Sequence, residues 1–419
     1  MKNGGAIPGS HQLQDCYLHD VYQLEKAKLK EMLTDKYIAV IFDEMSDGEG
    51  RFVLNILLAP LVKNDDGKIV SYLAATEFLK TTNHSTVSQA VVKTLQDYEI
   101  KHENVLVFDT DNAAYMKKAF KTVLAALYPD SIHVTCLAHI VNLVGESFRS
   151  PFTELNKFVR AFSAMFYLAG CRKARYLEFL NAKLLEANPS GKSRATMAPD
   201  PVATRWNSWF YAVDYHNRHL KFYTEFVQKE KAICGSSAPQ SLNTLYAMLS
   251  SEQEYCSLVL QAQVKFVAEM SKPILHYLDR FESQSPCTLK VFDCLEELQL
   301  YFEANCQVSE SFDRLNVDLE NVNVAQRMEN IELFRSAFRN AADKLLKYMT
   351  LETDGQPAIK FLKAVRIFDP QNVCLASHCK QDYTSIPGMT DITDEEFNLY
   401  VNKLAPQAVA VAGGVWNEI

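Results

Sequence analysis

The sequence predicts an α/β domain built on a mixed five-stranded sheet, followed by an all-α domain of about two hundred residues. Three observations carry this. Two apolar, β-branched runs, Tyr37-Ile-Ala-Val-Ile-Phe-Asp43 and Asn104-Val-Leu-Val-Phe-Asp109, each end in acid. Runs of that length and character read as strands buried on both faces. Strand and helix signals up to residue 150 fall in the order β-β-β-α-β-α-β-α after one leading helix. From Pro151 onward the apolar residues recur at helical spacing, and few strand signals interrupt them.

Taken in order, His19 to Leu33 places Val21, Leu24, Leu29 and Leu33 among acids and lysines at helical spacing. The first strand is Ile38–Asp43. Arg51–Pro60 is the second, after a turn at Gly48 and Gly50, and Asn64-Asp-Asp-Gly67 is a hairpin turn leading to a third strand over Ile69–Phe78. Asn83 or Ser85 caps a helix running to Tyr98. Val105–Phe108 is the fourth strand, Ala113–Leu127 a helix, Ile132–Thr135 the fifth strand, and Leu137–Phe148 a helix. A three-strand meander followed by alternating β and α is the RNase H-like order. It sets the first and fourth strands side by side and so pairs the two acidic strand ends.

The helical block runs from Pro151 to about residue 363. Phe152, Leu155, Phe158, Val159 and Phe162 follow a 3.6-residue period, as do Leu242, Leu245 and Leu249. The expected organisation is therefore an N-terminal segment and helix (1–34), an α/β core (35–150), a helical domain (151–363) and a C-terminal tail (364–419).

Composition bounds the function. A net charge of −8 means that nucleic acid can be held only by a local basic patch working against the overall field. The longest apolar runs fall far short of a membrane span, so no membrane partner is expected. Ten scattered cysteines without a paired framework read as reduced thiols of the nucleus or cytoplasm.

Two carboxylates brought together at a sheet edge repel one another unless a proton or a cation lies between them. Hard oxygen ligands suit Mg²⁺ or Mn²⁺. Asp43 is the first such acid. Asp109 and Asp111 compete for the second place: Asp109 is nearer the strand end, and Asp111 heads an Asp-Asn-Ala-Ala motif and is favoured. Asp47 and Glu146 are alternative acids. Cys136-x₂-His139 and His216-x₂-His219 each supply half the ligands of a structural zinc site. Nothing brings the pairs together, so zinc is not expected, and Cys374-x₃-His378-Cys379 reads as a coincidence in a loop. Arg172, Lys173, Arg175, Lys183, Lys192 and Arg194 form a basic stretch that either follows a phosphate backbone or is a solvated helix face.

Five landmarks in one order resemble the hAT superfamily of DNA transposases and the host proteins derived from them. They are Ile41-Phe-Asp-Glu-Met-Ser-Asp47, Asp111-Asn-Ala-Ala, Cys136-Leu-Ala-His139-Ile-Val-Asn142-Leu143, Thr204-Arg205-Trp206-Asn207-Ser208 and Phe368-Asp369-Pro370. The resemblance implies Asp43 and Asp111 as catalytic, metal-binding acids. It implies Cys136, His139 and Asn142 as a structural motif, and Arg205 and Trp206 as DNA contacts, with Trp206 stacking on a base unless it is a core tryptophan. Two features of the family find no counterpart in the sequence: a leading zinc finger and a late Ser-x-x-Glu-Arg motif that brings the third catalytic acid near a dimerisation region. The expectation is a catalytically incomplete, monomeric transposase-like chain acting as a nucleic-acid- or protein-binding nuclear factor. The alternative is an active transposase whose third carboxylate comes from outside this chain.

Overall fold

The computed structural model of the chain describes residues 9–188, 194–201, 208–250, 254–283, 285–307, 324–350, 355–374 and 377–406. They fall into two compact units that interleave along the sequence. One comprises Met1–Leu137, Ser283–Phe292 and Tyr348–Ile419; the other comprises Ala138–Glu282 and Asp293–Lys347.

The first unit is organised on a five-stranded sheet in the order β3-β2-β1-β4-β5. After helix α1 (Leu18–Leu33) come β1 (Ile38–Ser46), β2 (Phe52–Pro60) and β3 (Tyr72–Leu79), an antiparallel meander. Asp47 makes the first turn, its Oδ1 accepting from the N–H groups of Glu49 and Arg51 at 2.9 Å. Asn64 makes the second, accepting from Asp66 and Lys68. Gly67 there takes a φ of 74°, where a side chain would be strained.

Helix α2 (His84–Asp97) begins with a reciprocal cap: Asn83 Oδ1 accepts from the N–H of Ser85 and Thr86, and Thr86 Oγ1 accepts from the N–H of Asn83. Strand β4 (Val105–Thr110) lies parallel to β1, and β5 (Ile132–Thr135) lies parallel to β4. Between them α3 (Ala114–Ala119) continues through a π-helical turn, Phe120–Leu124, to Leu127. The mixed five-stranded sheet and its element order follow the expectation. Phe42, Phe108, Leu54 and Ile56 form the core with Val91 and Leu95 of α2, all buried.

Two strand ends differ by more than two residues. β1 does not stop at Asp43: it runs on to Ser46, because Glu44, Met45 and Ser46 pair with Leu54, Val53 and Phe52, and these last three β1 residues are not buried and form no apolar run. β3 starts at Tyr72 rather than at Ile69.

Strand β5 ends the sheet, and its open edge is met by a side chain. Buried Gln356 accepts from the Thr135 N–H at 3.0 Å and donates to the Thr135 carbonyl at 2.8 Å, replacing a sixth strand at that residue. Farther along the same unit, α4 (Ile359–Ala364) and a 3₁₀ turn (Val365–Phe368) pack with Val373, Ile386 and Phe397. Asp369 caps the next turn by accepting from the Gln371 N–H at 3.0 Å, and it pairs with Lys290. The Phe368-Asp369-Pro370 landmark thus has a local structural reason.

The second unit is helical. Its core is a ladder of phenylalanines in which Phe266 and Phe334 stack at 3.9 Å between ring centroids, flanked by Phe148, Phe152 and Phe338. The residues read at helical spacing, Leu155, Phe158, Phe162, Leu242, Leu245 and Leu249, are all buried. Among the described residues no helix is long and apolar enough to cross a membrane.

Candidate carboxylate site

Strand β1 is the central strand, paired on one side with β2 and on the other with β4. The pairing with β4 ends at Phe42 opposite Thr110, while the pairing with β2 continues. Asp43 is the first residue of β1 beyond that parallel ladder, and it is exposed. Asp109 stands opposite Ile41. Since side chains alternate faces along a strand, Ile41, Asp43 and Asp109 share one face of the sheet. The other face carries Phe42 and Thr110 into the core.

Asp109 is partly buried, and its Oδ1 is a buried atom with no hydrogen-bond partner. Loss of hydration pushes its carboxyl up to about 7, and the charge of Asp43 pushes in the same direction. A hydrogen bond from the Thr110 backbone opposes them without prevailing. Asp109 therefore stands poised between a neutral and a charged state near neutral pH.

The end of β4 is held from behind. The Thr110 hydroxyl donates to the Asp111 carbonyl at 2.7 Å and lies 2.9 Å from His133 Nε2. A hydroxyl has one proton, so His133 donates to it through Nε2–H. Burial, reinforced by Lys117 and Lys121, lowers the His133 pKa to about 4, which keeps the ring neutral. The ring also stacks on Phe120 at 4.8 Å. The Cys136 N–H donates to the Thr110 carbonyl at 2.7 Å, so the Cys-x₂-His landmark starts by extending the β4–β5 ladder.

Asp111 leaves the strand register. Its Oδ1 accepts from the Ala113 N–H at 3.0 Å, forming a turn before α3. Asn112 next to it donates to the Tyr348 hydroxyl and accepts from Lys117. Asp43, Glu44 and Asp111 all lie close enough to Tyr115 to raise its hydroxyl pKa, after burial and the hydrogen bond it donates to Glu44 Oε2 at 3.1 Å. Asp47 is tied into its hairpin, with its carboxyl lowered by the backbone and guanidinium of Arg51.

The remaining candidates fall elsewhere. Glu146 is an exposed acid on the helix Leu137–Arg149, close enough to Arg149 to interact with its charge. His139 and Asn142, on the same helix, are partly buried. His216 is buried against Tyr223, and its neighbour His219 bonds the Tyr215 carbonyl. His378 engages Tyr383 and the Val373 carbonyl. Arg205 and Trp206 lie outside the described residues. Trp209 is a core residue, with the Arg149 guanidinium 4.7 Å from its ring centroid.

Three of the six cations of the basic stretch are neutralised by acids, and Lys192 lies outside the described residues. Arg175 grips Glu230 through two hydrogen bonds of 2.6 and 2.8 Å, and Arg172 adds a third at 3.2 Å. Lys183 pairs with Glu186 and Glu225. A different cation cluster, missed in the sequence, lies in the sheet-bearing unit: Lys360, Lys363 and Arg366. Its three-residue spacing on one helix-to-turn run was the available signal.

Whether these acids fit Mg²⁺ or Mn²⁺ turns on their donor set. Among the described residues no group of three or more His, Cys, Asp or Glu converges to hold a metal ion. Asp43 and Asp109 share a face of the sheet, with one Asp109 oxygen buried and orphaned, and a hard cation on this pair would have to keep water or phosphate oxygens as its other ligands. No protein-family model matches the chain, and neither does any curated protein.

Proposed function

We propose that this chain is a nucleic-acid-binding protein with an RNase H-like core of the hAT-transposase type, that it holds one divalent cation on Asp43 and Asp109, and that this pair by itself does not cleave. The fold reading is supported by the strand order β3-β2-β1-β4-β5, with β1 antiparallel to β2 and parallel to β4. The observation that carries the functional reading is the partnerless buried oxygen of Asp109 on the face it shares with Asp43. Burying a carboxylate beside a second one is costly unless something compensates the charge.

Mg²⁺ or Mn²⁺ held there would neutralise the pair and attract a phosphoryl oxygen. The chain's own contribution is to position the acids. β1 and β4 fix the backbone register, while Thr110 and His133 lock the end of β4. Asp109 would give up its proton to admit such a cation. In this reading Asp109 takes the second acidic position and Asp111 shapes the turn. Two-metal cleavage requires more carboxylate ligands than this pair provides.

The test is Mn²⁺ binding by calorimetry, run beside a cleavage assay on duplex and hairpin DNA. We expect one Mn²⁺, lost in Asp43→Asn and in Asp109→Asn, and no cleavage. Absence of Mn²⁺ binding refutes the site. Cleavage that Asp43→Asn abolishes replaces this reading with an active transposase completed by an outside carboxylate.

A further inference from the structure

We propose that Lys360, Lys363 and Arg366 form a phosphoryl-binding site in the sheet-bearing unit. The three cations follow one another at three-residue intervals along α4 and the 3₁₀ turn after it. Residues three apart lie on one side of such a run. Together with Thr384 and Ser385 they line a cavity of about 470 Å³.

Two features separate this cluster from ordinary surface lysines. The first is anchorage. Phe292 is buried beneath it, with the Arg366 guanidinium 4.8 Å and the Lys363 ammonium 5.5 Å from its ring centroid. A cation over an aromatic face keeps its charge and loses rotational freedom, so the heads are held in place for a ligand. The second is charge. Three cations of the sequence-marked basic stretch, Arg172, Arg175 and Lys183, are consumed by Glu230, Glu186 and Glu225. Among the described residues Lys360 and Lys363 enter no ion pair. Asp382 is the one acid among the lining residues, so Lys360 and Lys363 by themselves leave it outnumbered, in a chain of net charge −8.

The donors are the ammonium and guanidinium groups. The hydroxyl protons of Ser385 and Thr384 are committed to the carbonyls of Lys360 and Gln381. Guanidinium and ammonium groups that converge on one hollow suit the tetrahedral oxygens of a phosphoryl group. That group is either a phosphodiester of a nucleic-acid backbone or a free phosphate. Only the first source rests on the nucleic-acid reading given above.

The experiment compares the full chain with Lys360→Gln/Lys363→Gln. Both positions are exposed, and unchanged thermal melting serves as the folding control. Binding of a 20-base-pair duplex is followed by anisotropy between 50 and 200 mM salt, and binding of pyrophosphate by calorimetry. If the site takes a backbone, the double variant binds the duplex more weakly and its log–log salt slope shrinks by about 2, near 0.9 per lost phosphate contact. With EDTA present the carboxylate pair holds no cation, so a change in the slope reports this site alone. Loss of pyrophosphate binding without a duplex effect assigns free phosphate as the ligand. Unchanged binding of both probes in the double variant overturns the proposal.

Discussion

Asp43 and Asp109 stand on the same face of two adjacent parallel strands, Asp109 opposite Ile41 and Asp43 one pleat further on. The relationship has a cost that can be measured. The Asp109 carboxyl titrates at about 7 in the folded chain and near 3.8 when unfolded, so between those values the folded state holds the extra proton. Its contribution to stability is complete below 3.8 and is lost as the pH rises through 7.

Asp109→Asn keeps the shape and removes the charge. We expect the variant to match the parent near pH 4 and to exceed it at pH 8 by on the order of 2 kcal/mol, allowing for partial solvent screening. Urea unfolding at the two pH values measures the difference. A variant less stable than the parent at pH 8 would show that the Asp109 charge is already compensated within the protein.

A cation on this pair must displace the proton of Asp109. Mn²⁺ affinity should therefore climb about tenfold per pH unit from 5.5 towards 7 and level off above it. Calorimetry in buffers of different ionisation enthalpy should count close to one proton released below pH 7. A flat pH profile would place the cation, if one binds, away from Asp109.

Much of this sheet is legible in the sequence because its signals are local. Apolar β-branched runs, the Asn64 turn and the Asn83 cap need only neighbouring residues. What is not legible depends on distant partners. The pairing of β4 with β1 puts Asp109 on a face with Asp43, while Asp111, beyond the last paired residue, is held in a turn and lies with Asp43 near Tyr115. The motif beginning at Asp111 points to a residue engaged in a turn. The basic stretch resembles a phosphate track until Glu230, more than fifty residues downstream, is placed between Arg172 and Arg175. Neither residue carries a mark of that pairing in its own segment.

Gln356 is another such partner, 221 residues from Thr135. Gln356→Ala would leave the Thr135 N–H and carbonyl without their partners at a buried edge. Each orphaned backbone group costs about 1–3 kcal/mol unless water reaches it, so a loss of about 2–3 kcal/mol is expected. Hydrogen exchange at the Thr135 amide should accelerate far more than at Val107 on β4. If exchange at Thr135 is unaltered, the side chain is not what protects the edge.

Glu230 supplies the strongest check on the basic stretch. Its side chain is 2% exposed, and it accepts from both Arg172 and Arg175, whose hydrogen bonds, Arg175 first, hold its carboxyl below the usual range. Its stabilisation is present above the ordinary glutamate pKa and fades as the pH falls through the lowered one. Removing one member of a buried ionic group leaves the others uncompensated, so Glu230→Ala should lose about 3 kcal/mol at pH 7. Conversely, Arg172→Gln/Arg175→Gln should weaken folding without changing the salt dependence of duplex binding, because neither cation is available to a phosphate. Should that double variant reduce the salt slope by about 2, the two arginines would be reaching the backbone in spite of Glu230.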